Sequence, residues 1–400
     1  MFVLVVNAGS SSLKYQLFDM ETSEMIAKGL CERIGTDGLY THQVPSKNVS
    51  IKKIEIDMPN HSVAVGTVIK YLTDAETGCI SDMSEISAVG HRIVHGGPWL
   101  IESCLIDGPD GKVLADLRKC IDLAPLHTKA HLQGIEGCLE VMPEVPQVLV
   151  MDTSFHQTMP QKAFMYPIPY DLYEKHAVRR YGFHGTSHRY VSGKALEILG
   201  NPNAKIVTCH LGNGSSISAV NAGKCVDTSM GFTPLEGVIM GSRCGAIDPA
   251  VVPFLMEKEN IPVEKMGDWM NKQCGFLGVS GVSSDLRDVR NAAENGNERA
   301  QLALDILAYQ IKKYVGGYAA AMNGLDCVVF TAGIGENDST MRSMAMKDLE
   351  FLGIKLDEEK NNAKDPLVIS ADDSRVKVLV IPTNEELVIA SDTWNIVNNK

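Results

Sequence analysis

The chain has 400 residues, 44% hydrophobic and 22% charged, with a formal net charge of -12. That length is too great for one compact core and predicts two or three domains. The composition is that of an ordinary globular protein, and its acidic balance excludes a general nucleic-acid binder, which needs a basic face. The ten cysteines include no C-x-x-C pair, so neither a zinc ribbon nor a disulfide framework is indicated, and free thiols fit a reducing compartment. No basic leader precedes the short apolar run Phe2–Val6, and no stretch approaches the roughly 20 apolar residues of a membrane span. A cytoplasmic protein is expected, with no membrane or nucleic-acid partner.

Strands and helices alternate along the chain, which predicts an α/β protein. Phe2–Val6 reads as a buried strand, Asn7–Ser12 as a turn and Leu13–Phe18 as the second arm of a hairpin. Apolar spacing predicts helices over Val63–Leu72 and Lys129–Val141. Val148–Asp152 is a short apolar run ending in an acid. Lys205–Cys209 reads as a strand, followed by a glycine-rich turn and Ile217–Val220. A long helix is predicted over Gln301–Met322, a strand over Cys327–Phe330, a helix over Ser339–Leu352 and a strand over Val376–Ile381 before a C-terminal helix. The segment Val5–Ser11 resembles His210–Ser216, about half the chain away. Each lies at the first hairpin of its half, which points to two similar domains with a seam near Asp152.

Three strand-to-turn segments suit phosphate: Asn7–Ser12, Gly212–Ser216 and Gly333–Asn337. Glycines let the backbone approach phosphate oxygens closely, and exposed N–H groups bind them. A helix beginning near Asp338 would add a partial positive charge. Each segment alone reads equally well as a tight hairpin or cap. Neither G-x-x-x-x-G-K-[ST] nor G-x-G-x-x-G occurs, so the phosphate loops would be hairpins, with Lys14 as a nearby charge or simply an exposed strand lysine. Arg92 and Arg243 each sit beside glycines, one in each half. Their planar forks suit carboxylate or phosphate oxygens, although surface ion pairs would explain them too. His184 and His188 lie four apart, but Gly185 stands where H-E-x-x-H needs glutamate, so His184 fits better as a donor to a charged transition state or as a helix-cap histidine. Asp152 ends a strand, where α/β active sites lie, or serves as a turn aspartate. Glu385 and Glu386 open the last helix, where the dipole favours acids; one of them suits Mg²⁺.

Together these segments resemble the acetokinase family of the sugar kinase and actin superfamily. The resemblance runs end to end: N-A-G-S-S-S-L-K at 7–14, H-R-I-V-H-G-G at 91–97, D-T-S-F-H-Q-T-M at 152–159, Y-G-F-H-G-T-S-H at 181–188, H-L-G-N-G-S-S at 210–216, G-S-R-C-G at 241–245, S-S-D-L-R at 283–287, G-I-G-E-N at 333–337 and T-N-E-E-L at 383–387. It implies a duplicated two-domain RNase H-like (actin-like ATPase) fold with an interdomain cleft, with domains 1–151, joined by the helix 385–400, and 152–384. It implies direct in-line transfer of a phosphoryl group between ATP and acetate, giving ADP and acetyl phosphate, and a homodimer. Asn7 and Glu385 would organise Mg²⁺, or Mn²⁺ in its place. Lys14, His210, Leu211, Gly212, Asn213, Gly214, Asp285, Leu286, Arg287, Gly333, Ile334, Gly335, Glu336 and Asn337 would bind the nucleotide. Arg92 would hold the substrate carboxylate, with Val94, Leu126, Phe183 and Pro234 as the pocket for its methyl group. Asp152 would be the acid/base residue, and His184 and Arg243 would stabilise the transferring phosphoryl group. The family pattern after Gly241 reads T-R-x-G-D. Here Ser242 and Ala246 stand in place of its threonine and aspartate while Arg243 is kept, so the reaction is expected to stand and the rate to depend on how the arginine is held. The alternatives are a propionate or butyrate kinase of the same family, and a non-catalytic nucleotide-binding switch.

Overall fold

The computed structural model describes residues 1–399. They form two compact units: Met1–Ser154 together with the segment from Asn384 onward, and Phe155–Thr383. The strands of unit 1 are β1 Phe2–Gly9, β2 Ser12–Asp19, β3 Glu24–Glu32, β4 Leu39–Val44, β5 Val49–Glu55, β6 Ile86–Ile93, β7 Cys104–Leu105 and β8 Gln147–Met151. They form one sheet in the order β5-β4-β3-β2-β1-β6-β8-β7. Strand β1 lies centrally, antiparallel to β2 and parallel to β6. Leu4 and Val6 enter the core on one face, Val3 and Val5 the core on the other. That two-sided burial is why the run is continuously apolar rather than alternating.

The β1–β2 pairing continues to Gly9↔Ser12. The turn is therefore only Ser10–Ser11, and Asn7 and Ala8, read from the sequence as turn residues, belong to the strand. The helix Pro125–Val141 packs on β1, and a methyl group at Gly134 would lie 2.4 Å from Ala8 Cβ. The helix Glu385–Asn398 covers the other face. Its Ile389 and Ala390 join Val3, Val5 and Ala88 in one cluster.

Unit 2 holds β9 Lys205–Leu211, β10 Ser215–Asn221, β11 Lys224–Thr228, β12 Cys327–Thr331 and β13 Lys377–Val380, in the order β11-β10-β9-β12-β13. Strand β10 is antiparallel to both neighbours, while β9, β12 and β13 are mutually parallel. Order and directions match β3-β2-β1-β6-β8 of unit 1. The fold is thus duplicated α/β, and the hairpins β1–β2 and β9–β10 occupy equivalent places. The second hairpin has a three-residue turn, Gly212–Gly214, because Leu211 pairs with Ser215.

The long helix of unit 2 runs Glu298–Ala321, started by Asn297, whose side chain accepts a hydrogen bond from Ala300 N. It buries Leu304, Leu307, Ile311 and Val315 against the sheet. The helix predicted over Ser339–Leu352 ends at Met346; Asp348 has φ 61°, a left-handed conformation that breaks the run. No helix among the described residues is long and apolar enough to cross a membrane.

Buried histidines make stability depend on pH. Desolvation lowers His91 and His156 to about 4 and His131 to about 3, from an ordinary 6.5. Because the folded values are depressed, the unfolded chain binds protons first as pH falls below about 6.5, and stability is lost between there and pH 4. The melting temperature is therefore expected to be lower at pH 5 than at pH 7. A flat profile over that interval would contradict it.

Candidate active site

In unit 2 the strand ends carry the glycine-rich segments. The turn between β9 and β10 closes on itself: Gly212 N–H donates to Gly214 O (3.2 Å) and Ser215 Oγ (3.1 Å), and Ser215 Oγ donates to Gly212 O (3.0 Å). Gly212 N–H, expected to face phosphate, is thus committed to the turn. Gly241 N–H donates to Asn213 O (3.1 Å), and a methyl group at Gly241 would lie 1.9 Å from Asn213 Oδ1. Only glycine at 241 lets the Asn213 side chain occupy its place.

A cavity of about 960 Å³ opens beside this turn, within the range of small-molecule sites. It brings together Gly212 and Asn213, Asp285–Arg287, and Gly333, Ile334 and Asn337. Asp285 begins the helix Leu286–Glu294, accepting from Arg287 N (2.9 Å), and pairs with the Arg287 guanidinium (2.6–3.2 Å). The sequence reading did not single out Arg290, which also lines the cavity. Arg290 makes a forked pair with Asp338 Oδ2 (2.9 and 2.6 Å), and Asp338 also caps the helix Ser339–Met346 through Met341 N. The signal for Arg290 was its spacing, one helical turn beyond Arg287.

The other residues expected at the nucleotide have the following surroundings. Leu211 is fully buried in the core. The segment Ala332–Asn337 is a short helix rather than a loop, and its Gly335 is buried against Phe330. Glu336 turns inward, where Oε1 accepts from Ala332 N (2.8 Å), Thr331 Oγ1 (3.3 Å) and Thr383 N (3.2 Å). His210 stacks on His184 with ring centroids 4.1 Å apart and bonds Ser187 Oγ (2.8 Å). Lys14 belongs to unit 1, where it pairs with Glu386.

Next to the turn, two groups converge on Gly214. A methyl group there would lie 3.5 Å from both Arg243 Nη1 and His184 Nε2. His184 begins the helix Gly185–Leu199 with φ 56°, a strained left-handed backbone for a residue other than glycine. Its Nδ1 bonds Ser216 Oγ (2.9 Å). Arg243 Nη1 donates to Pro234 O (3.1 Å) and contacts Met240 Sδ (3.7 Å). No carboxylate pairs with it among the described residues, and burial pushes its pKa down.

The segment carrying Arg243 is held by hydrogen bonds on either side: Ala246 N–H donates to Gly237 O (2.8 Å), and Ser242 Oγ donates to Asn271 O (2.8 Å). The segment carrying Pro234 is held by Arg180, which the sequence reading missed. Its Nη1 donates to the carbonyls of Thr228, Ser229 and Met230 (3.0, 3.0 and 3.1 Å), and its Nη2 pairs with Glu236 (2.6 Å).

Unit 1 holds a second cluster. Arg92, near the end of β6, binds Asp152 in a two-pronged pair, Nε to Oδ1 (3.1 Å) and Nη2 to Oδ2 (2.8 Å), and Glu385 lies 3.7 Å from Nη2. Asp152 is 1% exposed. Its carboxylate, followed by that of Glu385, raises the Arg92 pKa. Asn7 lies on β1 opposite Lys14. Of the four residues read as an apolar pocket, Val94 and Leu126 belong to unit 1, Phe183 and Pro234 to unit 2. Leu126 is exposed and Phe183 buried.

A duplicated α/β fold, with a ligand-sized cavity at its strand ends and an arginine and a histidine converging on a glycine turn, defines a phosphotransferase. The chain belongs to the acetokinase family, whose model matches residues 2–391. It is 58% identical to the acetate kinase of Caldanaerobacter subterraneus subsp. tengcongensis, over 99% of each chain. Among solved structures it is similar to Porphyromonas gingivalis acetate kinase (48% identity, TM-score 0.94, 99% of each chain) and to a propionate kinase from Francisella tularensis (40% identity, TM-score 0.90, 99% of each chain).

Proposed function

We propose that the protein catalyses reversible phosphoryl transfer between ATP and acetate, forming ADP and acetyl phosphate. The observation that carries this reading is the convergence of His184 Nε2 and Arg243 Nη1 on Gly214. An uncompensated guanidinium beside an imidazole nitrogen is a prepared receptor for the equatorial oxygens of a transferring phosphoryl group. The nucleotide occupies the cavity between the Asn213 turn, the helix starting at Leu286 and the Gly333 segment. Arg92 receives the acetate carboxylate through the donors that Asp152 leaves over. Acetate is already a nucleophile, so the paired Asp152 serves to orient Arg92 rather than to take a proton. Val94, Leu126, Phe183 and Pro234 are the residues proposed for the methyl group.

The residues proposed for the metal fit a hard cation. Asn7 offers an amide oxygen and Glu385 a carboxylate, and no cluster of three or more metal-binding side chains occurs among the described residues. Such a partial donor set suits Mg²⁺ or Mn²⁺, which keeps water and phosphate oxygens in its remaining positions. When bound, the ion neutralises phosphate charge. The ten free thiols support a cytoplasmic address, and a homodimer is the proposed assembly, to be checked by sedimentation.

Purified protein with ATP, Mg²⁺, acetate and hydroxylamine is expected to yield acetohydroxamate; none would refute the reading. Chelation should abolish the product, and Mg²⁺ or Mn²⁺ should restore it. Across acetate, propionate and butyrate, kcat/KM is expected to fall by about 10-fold or more per added methylene. A higher value for propionate would favour a propionate kinase.

A further inference from the structure

Behind His184 runs a chain of short hydrogen bonds, all within unit 2. Thr208 Oγ1 lies 2.7 Å from His188 Nδ1, His188 Nε2 lies 2.7 Å from Ser216 Oγ, and Ser216 Oγ lies 2.9 Å from His184 Nδ1. We infer that His188, acting through Ser216, sets His184 in the tautomer that carries its proton on Nε2, the nitrogen beside Gly214 and Arg243. His188 and Ser216 are then positioning residues for the proposed phosphoryl contact, and the inference rests on that reading of His184.

With a single proton on each ring, the three bonds can run in two directions. His188 is fully buried, and desolvation, with His156 and His210 nearby, holds its pKa well below the ordinary 6.5. It is neutral, with one N–H and one lone pair. In the first polarity Thr208 O–H donates to His188 Nδ1, His188 Nε2–H donates to Ser216 Oγ, and Ser216 O–H donates to His184 Nδ1. The proton of neutral His184 then sits on Nε2. In the second, every bond reverses: His184 donates from Nδ1, Ser216 donates to His188, and His188 donates to Thr208. The Thr208 hydroxyl proton must then go to Ser218 O at 3.4 Å, beyond the normal 2.5–3.0 Å for O–H···O. The first polarity places every hydroxyl proton in a bond of 2.9 Å or less. The second also turns a lone pair of neutral His184 toward the phosphoryl oxygens.

Neighbouring contacts fix the frame. His156 Nε2 lies 3.0 Å from Phe183 O, so that nitrogen carries the proton and Nδ1 accepts from the Cys225 thiol (3.1 Å). The residue preceding His184 is thereby tied to β11. The His156 and His188 rings pack edge to face, with centroids 5.7 Å apart.

The test uses the full-length protein labelled with ¹⁵N-histidine, the His184 signals assigned by their loss in His184→Gln. The native protein is expected to show His184 with a pyrrole-like Nε2 and a pyridine-like Nδ1. Ser216→Ala, which deletes one oxygen from a strand, is expected to mix the two tautomers. It should lower kcat about 10- to 100-fold, with KM for acetate and ATP within about twofold. His188→Gln is the second variant and should act in the same direction. A native His184 protonated on Nδ1, or an unchanged tautomer and kcat in Ser216→Ala, would overturn the inference. If His184→Ala itself keeps native kcat, the phosphoryl role of His184 fails, while the nitrogen signals still decide the relay.

Discussion

Arg92→Ala is expected to lower kcat/KM for acetate by about 10³-fold or more and to destabilise the protein as well. The two losses have different causes. Arg92 is the proposed holder of the acetate carboxylate, and without it two anions must meet with less charge to offset them. It is also the partner of Asp152, which is 1% exposed and bound through both oxygens. Removing one member of a buried pair leaves an uncompensated charge and costs about 3–5 kcal/mol. Arg92→Lys keeps the charge but loses the fork, so it should recover stability in part and activity less. Hydroxamate formation reports the first loss and calorimetry the second. A folded, near-native Arg92→Ala enzyme would refute both assignments.

Arg243→Ala should separate the two effects. Turnover is expected to fall by about 10²–10³-fold, with the melting temperature nearly unchanged. The Arg243 guanidinium donates to Pro234 O and contacts Met240 Sδ, and it pairs with no carboxylate among the described residues. Its burial opposes its own charge. The folded state therefore gains little from it, whereas a phosphoryl group beside Gly214 would supply the missing counter-charge. Near-native turnover in this variant, or a large loss of stability, would count against the receptor.

The sequence showed the hairpins, the parallel strands and the phosphate segments because each has a local cause. Continuous apolar runs mark strands buried on both faces, and glycines mark turns. The break at Asp348 was hidden because a left-handed residue leaves no trace in apolar spacing. Inward-turned side chains were equally hidden. Nothing in G-I-G-E-N says that the Glu336 carboxylate accepts from Ala332 and Thr383. Arg290 and Asp338 are 48 positions apart, and Arg180 reaches Glu236 across 56. Such pairs exist only after the chain folds. His188 and Ser216 were visible as residue types, but the handing of a proton position from one to the next needs distances.

The last helix, Glu385–Asn398, belongs to the unit that begins at Met1. During synthesis unit 1 leaves the ribosome first, yet the face formed by Val3, Val5 and Ala88 stays uncovered until Ile389 and Ala390 arrive. Phe155–Thr383 is contiguous in the chain and needs no later segment. Chains usually mature from the N-terminus as they emerge; here the order of completion is reversed. An apolar strip of the first-made unit is open to a chaperone until that helix has been made.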